Sequence, residues 1–200
     1  MKTDLNKEYW ENRYQNKKTG WNIGHISTPL KTYVDQLTDK SLNILIPGAG
    51  FGYEAQYLIN DGFKDVTVID FSTSALNRLQ ESLPQIPTSH FIEGNFFDHN
   101  GSYDLIIEQT FFCALQPELR ADYAKKCSEL LSLKGKLMGL LFDFPLTEEG
   151  PPFGGSFREY QQLFSEYFRI KTLERCYNSI KPRDGKELFF IFEKSITTTR

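Results

Sequence analysis

The sequence predicts an α/β fold: a doubly wound sheet of seven strands, mostly parallel, with an antiparallel hairpin strand at the C-terminal end. Two observations predict it. Apolar runs of strand length alternate with helical segments through most of the chain, and the last two runs are joined by the turn signal KPRDG at 181–185. A chain of 200 residues has the size of one such domain. We therefore expect a single domain over 1–200, with an N-terminal segment over 1–40 and a sheet core over 41–195.

Seven apolar runs are predicted as strands, and the run YDLIIEQ is apolar on both faces, as a buried parallel strand is. The runs cover residues 42–46, 65–70, 89–94, 103–109, 136–142, 170–178 and 186–195. Their alternation with helices is typical of a Rossmann-like sheet.

Four segments of helical periodicity lie between these strands, at 53–61, 72–83, 117–133 and 156–168. Their ends carry N-caps, a proline in the first turn, a capping box or a terminating glycine. Gly62 ends the first helix, and Ser72 or Thr73 is the N-cap of the second. Pro117 lies in the first turn of the third helix and Gly135 ends it, and Ser156 with Glu159 forms the capping box of the fourth. Residues 195–200 are predicted as a fraying tail.

Charge and cysteine usage exclude several classes of protein. The net charge is −3 and no lysine–arginine stripe is present, so we expect no nucleic-acid partner. No apolar run approaches the length of a membrane span, and the first residues do not resemble a signal peptide, so we expect no membrane association. Cys113, Cys127 and Cys176 share no CxxC spacing, which favours a reduced, cytoplasmic protein. We also expect a monomer, and no metal because the three histidines lack ligand spacing.

A glycine-rich loop follows the first predicted strand in the stretch NILIPGAGFGYE. Its glycines are Gly48, Gly50 and Gly52, whereas the dinucleotide fingerprint GxGxxG would need a glycine where Tyr53 stands. Asp70 ends the second strand, where a carboxylate is placed to accept both ribose hydroxyls of an adenosine. Loop and carboxylate together predict an adenosine cofactor other than a dinucleotide.

These residues resemble the class I S-adenosylmethionine-dependent methyltransferases. The resemblance implies S-adenosylmethionine as the cofactor, with its methionine part against the glycine loop. The stretch EGNFFD resembles the adenine-binding motif of that fold, which implies that Asn95 meets the adenine amino group and the backbone of Phe96 the ring edge. Glu108 ends the fourth strand, where cofactor and substrate meet in that fold, and is assigned to the cofactor site.

The flanking segments are similar to the thiopurine S-methyltransferase superfamily. The stretch YWENRYQNKKTGWNIGHISTPL contains the aromatic residues Trp10, Tyr14 and Trp21. In that superfamily, aromatic residues at this spacing close over the cofactor as a lid, so the resemblance implies the same role for these three. Trp10 and Tyr14 share one helical face, so they could instead only fasten an N-terminal helix to the sheet.

Two further stretches, TFFCALQPELRADYA and GPPFGGSFREYQQL, resemble the thiol, thiocyanate and halide methyltransferases of that superfamily. The GPPF sequence follows the fifth strand, unlike the NPPY-type motif of amino-group methyltransferases, which follows the fourth. Tyr14, Gln109 and Phe153 stand where plant relatives have Trp, Tyr and Tyr, so the resemblance does not name the acceptor.

The predicted activity is methyl transfer to a small soft nucleophile (a thiol, thiocyanate or halide) by a single in-line displacement. The predicted lining of the acceptor pocket is apolar, which would strip water from such a nucleophile, and no catalytic residue or general base is assigned. The lining residues are Phe111, Phe112, Cys113, Phe144, Phe153 and Phe157. The alternatives are methylation of another small acceptor (tellurite, a selenium compound or an oxygen nucleophile), or a non-catalytic cofactor-binding protein on the same fold.

Overall fold

The computed structural model describes residues 3–48 and 50–195, so most of the predicted tail at 195–200 lies outside the described residues. The chain forms two compact units, Met1–His99 and Asn100–Arg200. The strand order across the sheet is β3-β2-β1-β4-β5-β7-β6, which confirms the predicted seven-stranded α/β fold. The expectation of one domain over 1–200 stays a prediction.

The first unit contains a three-stranded parallel part of the sheet with helices before and between its strands. Strand β2 pairs in parallel with β1, from Asn43↔Asp65 to Pro47↔Ile69, and with β3, ending at Asp70↔Glu93. The elements are α1 (Lys7–Gln15), α2 (Thr28–Val34), β1 (Asn43–Pro47), α3 (Tyr53–Asn60), β2 (Asp65–Asp70), α4 (Thr73–Ser82) and β3 (Phe91–Glu93).

The second unit contains β4 and β5, which are parallel, and β7, which is antiparallel to both β5 and β6. The elements are β4 (Tyr103–Gln109), α5 (Arg120–Leu130), β5 (Leu131–Phe142), α6 (Phe157–Ser165), β6 (Phe168–Arg175) and β7 (Glu187–Lys194). The predicted closing hairpin is therefore present.

Two predicted helices end earlier in the structure, and one helix was not predicted. Helix α5 ends at Leu130 instead of 133, because Leu131 already pairs with Tyr103 as the first residue of β5. The pairing then shifts to Leu105↔Lys136, with Lys134 at a φ of 65°. Helix α6 ends at Ser165, and Phe168 belongs to β6. Helix α2, only seven residues long, was not predicted from the sequence.

Aromatic side chains fill much of the core of the second unit. Phe164 lies 4.7 Å from Phe192 and 5.7 Å from Phe112, ring centroid to ring centroid. The largest fully buried aromatic residues here are Phe112, Tyr123, Tyr160, Phe164, Phe190 and Phe192. The many phenylalanines of the sequence therefore serve the core in large part. No helix within the described residues has the length and hydropathy needed to cross a membrane.

Candidate active site

The glycine loop joins β1 to α3, and each of its glycines has a positive φ, 60° at Gly48, 58° at Gly50 and 70° at Gly52. A Cβ on Gly52 would lie 2.2 Å from Cδ1 of Leu79, so this glycine allows α3 to begin close against α4. A Cβ on Gly50 would lie 3.4 Å from Oη of Tyr14 and 3.7 Å from Nε1 of Trp21. The two glycines therefore have different roles: Gly52 permits packing, and Gly50 faces the N-terminal aromatic side chains.

Asp70 ends β2 and holds the glycine loop in place. Its Oδ2 accepts a hydrogen bond from the Gly50 N–H at 3.0 Å, and its Oδ1 accepts one from the Ser72 N–H at 2.8 Å. The residue is only 9% exposed, and this burial raises the pKa of its carboxyl against the opposing effect of the backbone hydrogen bonds. The Phe71 N–H also acts on this carboxylate, which offers about four acceptor positions in all, so one is left for a ligand.

The N-terminal segment places an aromatic layer, made of Trp10, Tyr14, Trp21 and Phe51, beside the glycine loop. The ring of Trp21 meets those of Trp10 and Tyr14 edge to face, each at 5.6 Å between centroids, and Tyr14 lies 6.0 Å from Phe51. Burial, and next the negative charge of Asp70, raise the pKa of the Tyr14 phenol. Trp21 thus contacts the two other predicted lid residues, and Tyr14 and Trp21 lie next to Gly50.

Glu11, a residue that the sequence did not single out, fastens α1 to the start of α4. Its carboxylate accepts hydrogen bonds from the Ser72 hydroxyl at 2.8 Å, from the Ser74 N–H at 3.2 Å and from the Ser74 hydroxyl. Burial opposes ionisation of Glu11, but the hydrogen bonds from Ser74 and Ser72 outweigh it and lower its pKa to about 2. A negative charge at a helix N-terminus also interacts favourably with the helix dipole.

The predicted adenine motif forms a short 3₁₀ turn at Phe96–Asp98. Asn95 caps it, with Oδ1 accepting from the Phe97 N–H at 3.1 Å and Nδ2 donating to Oδ2 of Asp98 at 3.1 Å. The Phe96 ring is buried, 5.6 Å from that of Phe97. In this structure the Asn95 side chain thus shapes the turn, and its expected contact with adenine stays a prediction.

Glu108, assigned to the cofactor site from the sequence, is a buried residue of β4. It is 0% exposed, and Oε1 accepts from the N–H groups of Phe111 at 2.7 Å and Phe112 at 2.9 Å. Its Oε2 accepts from the Tyr123 hydroxyl at 2.6 Å. Burial raises the pKa of this carboxyl to about 7. Because its side chain is fully covered by protein, Glu108 orients the turn that follows β4, and its assignment to the cofactor site stays a prediction.

That turn, residues 110–114, is called the acceptor turn here because it carries three of the predicted lining residues. It begins with a strained residue: Thr110 has a φ of 62°, which is uncommon for a β-branched side chain. Cys113 donates from Sγ to the Thr110 carbonyl oxygen at 3.3 Å. Phe112 is 1% exposed and belongs to the aromatic core, whereas Phe111 is only partly buried.

A second loop, GPPFGG at 150–155, is hydrogen-bonded to the acceptor turn. The Phe153 N–H donates to the Cys113 carbonyl oxygen at 2.7 Å, and the Gly155 N–H donates to the Phe144 carbonyl oxygen at 2.8 Å. The structure thus brings Cys113, Phe144 and Phe153 together. Phe157, the first residue of α6, is 43% exposed, and its assignment to the acceptor lining stays a prediction.

Arg120, which the sequence also did not single out, lies beside both loops. It is 4% exposed and donates to the Gly154 carbonyl oxygen at 2.7 Å and to Oε1 of Glu159 at 2.5 Å. Neither Glu11 nor Arg120 carries a local motif, and their partners are distant in sequence. No cluster of three or more potential metal ligands occurs within residues 3–48 and 50–195.

Comparison with known proteins gives the family. The chain matches the thiopurine S-methyltransferase (TPMT) family over residues 5–200. It is 27% identical over 194 residues to probable thiol methyltransferase 2 of Arabidopsis thaliana, covering 94% of this chain and 85% of the relative. It is 30% identical over 185 residues to thiocyanate methyltransferase 1 of Brassica oleracea, covering 89% and 81%.

A solved structure with a similar fold is the 1,6-didemethyltoxoflavin-N1-methyltransferase of Burkholderia thailandensis with bound 1,6-didemethyltoxoflavin and S-adenosylhomocysteine. The TM-score is 0.77 at 16% identity, covering 95% of this chain and 87% of that one. This likeness concerns the fold, whereas the family match extends over nearly the whole sequence. The chain therefore belongs to the thiopurine S-methyltransferase family and is an S-adenosylmethionine-dependent methyltransferase.

Proposed function

We propose that this protein methylates a small soft nucleophile, a thiol, thiocyanate or halide, with the methyl group of S-adenosylmethionine. The observation that carries the proposal is the surroundings of Gly50. Tyr14 and Trp21 lie beside this glycine, and its N–H donates a hydrogen bond to Asp70. The names of the thiol and thiocyanate methyltransferase relatives support the class of acceptor.

The residues of the first unit fit the cofactor. Gly50 has no side chain where the polar atoms of Tyr14 and Trp21 approach it, and Asp70 keeps an acceptor position for a ribose hydroxyl. Aromatic faces attract onium ions by about 0.5–2 kcal/mol each when water is excluded, which suits the aromatic layer to a sulfonium. When bound, S-adenosylmethionine supplies an already activated methyl group, so the protein's task is orientation and exclusion of water.

The acceptor turn and the GPPFGG loop suit a soft nucleophile. Phe111 and Phe144 are partly exposed there and present apolar surface, whereas Phe153 is buried; an anion transferred to apolar surroundings loses the water that masks its reactivity. A thiol of ordinary pKa is a few per cent thiolate at neutral pH, so a thiol acceptor can react without a dedicated base.

Cys113 fits a lining role in this proposal. It is 7% exposed and donates to a backbone carbonyl, and burial raises the pKa of its thiol. Because the thiolate is the reactive form, a covalent role for Cys113 is disfavoured.

We also propose a monomer in a reducing compartment. Cys113, Cys127 and Cys176 are all free thiols. The exposed large apolar side chains are scattered along the chain, at Leu119, Leu133, Leu146, Phe157 and Tyr177, as is usual for a surface without a partner. Light scattering of the purified protein tests the oligomeric state.

The decisive experiment incubates the protein with methyl-labelled S-adenosylmethionine and one acceptor at a time: an aryl thiol, an alkyl thiol, thiocyanate, iodide, selenite, tellurite or a phenol. We expect labelled product with the sulfur acceptors or iodide. Turnover only with tellurite, selenite or the phenol would support the other-acceptor alternative. Tight binding of S-adenosylhomocysteine without turnover of any acceptor would favour a non-catalytic protein.

A further inference from the structure

We propose that Arg120 is a positioning residue that determines acceptor specificity, because its guanidinium fixes the spacing between the acceptor turn, the GPPFGG loop and the start of α6. This inference rests on the proposed function, since it assigns the acceptor to these two loops.

Three contacts of one side chain carry the inference. One terminal nitrogen of Arg120 donates to the Gly154 carbonyl oxygen at 2.7 Å, and the other donates to Oε1 of Glu159 at 2.5 Å. The guanidinium carbon lies 4.8 Å from the centroid of the Phe112 ring. Each contact is with a different segment: the GPPFGG loop, α6 and the acceptor turn.

The segments that Arg120 joins are closely packed at the contact points. A Cβ on Gly154 would lie 2.3 Å from the Phe144 carbonyl oxygen, and one on Gly155 would lie 2.2 Å from Oη of Tyr160. The Ser156 hydroxyl accepts from the Glu159 N–H at 3.3 Å and so holds the first turn of α6. Little free space is left at these contacts, so we expect a shift of the guanidinium to displace the backbone of Gly154 and the ring of Phe112.

A role in stability alone does not account for Arg120 at this buried position. Arg120 is 4% exposed, its ion-pair partner Glu159 has a side chain that is 37% exposed, and Nε of Arg120 has no hydrogen-bond partner among the described residues. An unsatisfied buried donor is destabilising, and a well-packed apolar side chain often stabilises a core as well as a buried ion pair does. What an apolar side chain could not do is hold three segments in fixed directions.

Arginine is suited to this task and lysine is not. The guanidinium presents donors in fixed, divergent directions and a flat face for an aromatic ring, whereas an ammonium is a compact charge on a flexible stem. Arg120→Lys thus keeps the positive charge and removes the fixed geometry.

The test compares Arg120→Lys with wild type for two acceptors of different size, thiocyanate and an aryl thiol. We expect the kcat/KM ratio of the aryl thiol to thiocyanate to change by roughly tenfold, the discrimination that about one methylene of pocket space provides. Affinity for S-adenosylhomocysteine, measured by calorimetry, should be unchanged. Glu159→Gln, which keeps an oxygen acceptor but loses the charge, should shift the ratio in the same direction by less. Lys125→Gln, on the exposed side of α5, is the matched control and should leave the ratio unchanged.

A folded Arg120→Lys protein with an unaltered acceptor ratio would overturn the proposal, as would an equal loss for both acceptors. If Arg120→Lys does not fold, Glu159→Gln decides by the same ratio. A second measurement does not depend on turnover. Amide hydrogen exchange at 111–114 and at 150–155 should accelerate together in Arg120→Lys, and unchanged exchange there would count against the inference even if wild type methylated none of the acceptors.

Discussion

Two carboxylates at strand ends, Asp70 and Glu108, each accept hydrogen bonds from backbone N–H groups of loops that follow parallel strands, the loops after β1 and β2 for Asp70 and the turn after β4 for Glu108. Asp70 binds Gly50 and Ser72, and Glu108 binds Phe111 and Phe112. Hydrogen bonds to a charged acceptor are roughly twice as strong as neutral ones. Each carboxylate therefore fixes a loop that carries predicted ligand contacts, and substitution there acts on loop geometry as well as on any direct contact.

Replacement of Asp70 by Ala should reduce both stability and cofactor affinity. The N–H groups of Gly50 and Ser72 would lose their acceptor, at about 1–3 kcal/mol for each buried group. The dissociation constant of S-adenosylhomocysteine should rise at least about tenfold, because a hydrogen bond to a charged group contributes roughly 1.5–3 kcal/mol. Thermal unfolding and calorimetry measure the two effects, with Asp70→Asn, which keeps one acceptor oxygen, expected to be intermediate in stability. An unchanged dissociation constant in Asp70→Ala would show that the ribose is bound elsewhere.

Glu108 should make stability depend on pH. Burial raises its folded-state pKa from 4.5 to about 7. Between about pH 4.5 and pH 7 the folded protein therefore holds a proton that the unfolded chain has released. The free energy of unfolding should fall as the pH rises through this range, by up to about 3 kcal/mol from this group.

Glu108→Gln provides the comparison, because glutamine does not titrate but keeps an oxygen for the Phe111 and Phe112 N–H groups. The difference in unfolding free energy, wild type minus variant, should decrease from pH 4.5 to pH 7 in urea titrations. Other buried carboxyls, such as Glu187, titrate in both proteins and cancel in this difference. A difference that stays constant with pH would contradict the assignment.

At the scale of elements, α1 joins the aromatic layer to the sheet through α4. Trp10 and Tyr14 lie on α1, and Glu11 on the same helix accepts hydrogen bonds from Ser72 and Ser74 at the start of α4. Lys7 and Glu93 form an ion pair, and Thr73 donates to Glu93 at 2.8 Å. The position of the aromatic layer thus depends on polar contacts of α1, which can break without disturbing the core.

Glu11→Gln should loosen the N-terminal segment. The amide is neutral and has one acceptor oxygen, so the bonds from Ser72 and Ser74 weaken. We expect faster proteolysis before residue 25, altered fluorescence from Trp10 and Trp21, and weaker binding of S-adenosylhomocysteine. At saturating concentration this ligand should protect the segment from proteolysis again. Glu8→Gln, at an exposed position of the same helix, is the control. If Glu11→Gln and Glu8→Gln behave alike, the role assigned to Glu11 is wrong; a segment protected equally with and without ligand would indicate that Trp10 and Trp21 only pack the helix.

At the scale of the whole molecule, ligand binding should distinguish S-adenosylhomocysteine from NAD. A ligand at 100 times its dissociation constant adds about 2.7 kcal/mol to stability, which for a protein of this size raises Tm by about 5–10 °C. We expect this shift with S-adenosylhomocysteine in thermal unfolding. NAD should give none, because Tyr53 stands at the third glycine position of the dinucleotide fingerprint. A rise in Tm with NAD but not with S-adenosylhomocysteine would contradict the assignment of S-adenosylmethionine as the cofactor.

The sequence predicted the seven strands because apolar periodicity is a local property. It placed α5 three residues too far because Leu131 and Leu133 suit helix and strand equally, and only pairing with Tyr103 decides between them. The full burial of Glu108 and Phe112 could not be predicted, since it depends on Tyr123, Tyr160 and Phe164 packing around them. Glu11 and Arg120 were missed because Ser74 is 63 positions from Glu11 and Gly154 is 34 from Arg120.

The burial of all three cysteines has a consequence for a protein proposed to handle thiols. Cys113, Cys127 and Cys176 are 7%, 0% and 3% exposed, and burial raises the pKa of the first two. Mixed disulfides form by attack of an accessible thiolate, so oxidised acceptor should find no sulfur on the folded protein to exchange with. The enzyme would then tolerate the disulfides of its own acceptors, and a colorimetric aryl disulfide would titrate its thiols only as the chain unfolds.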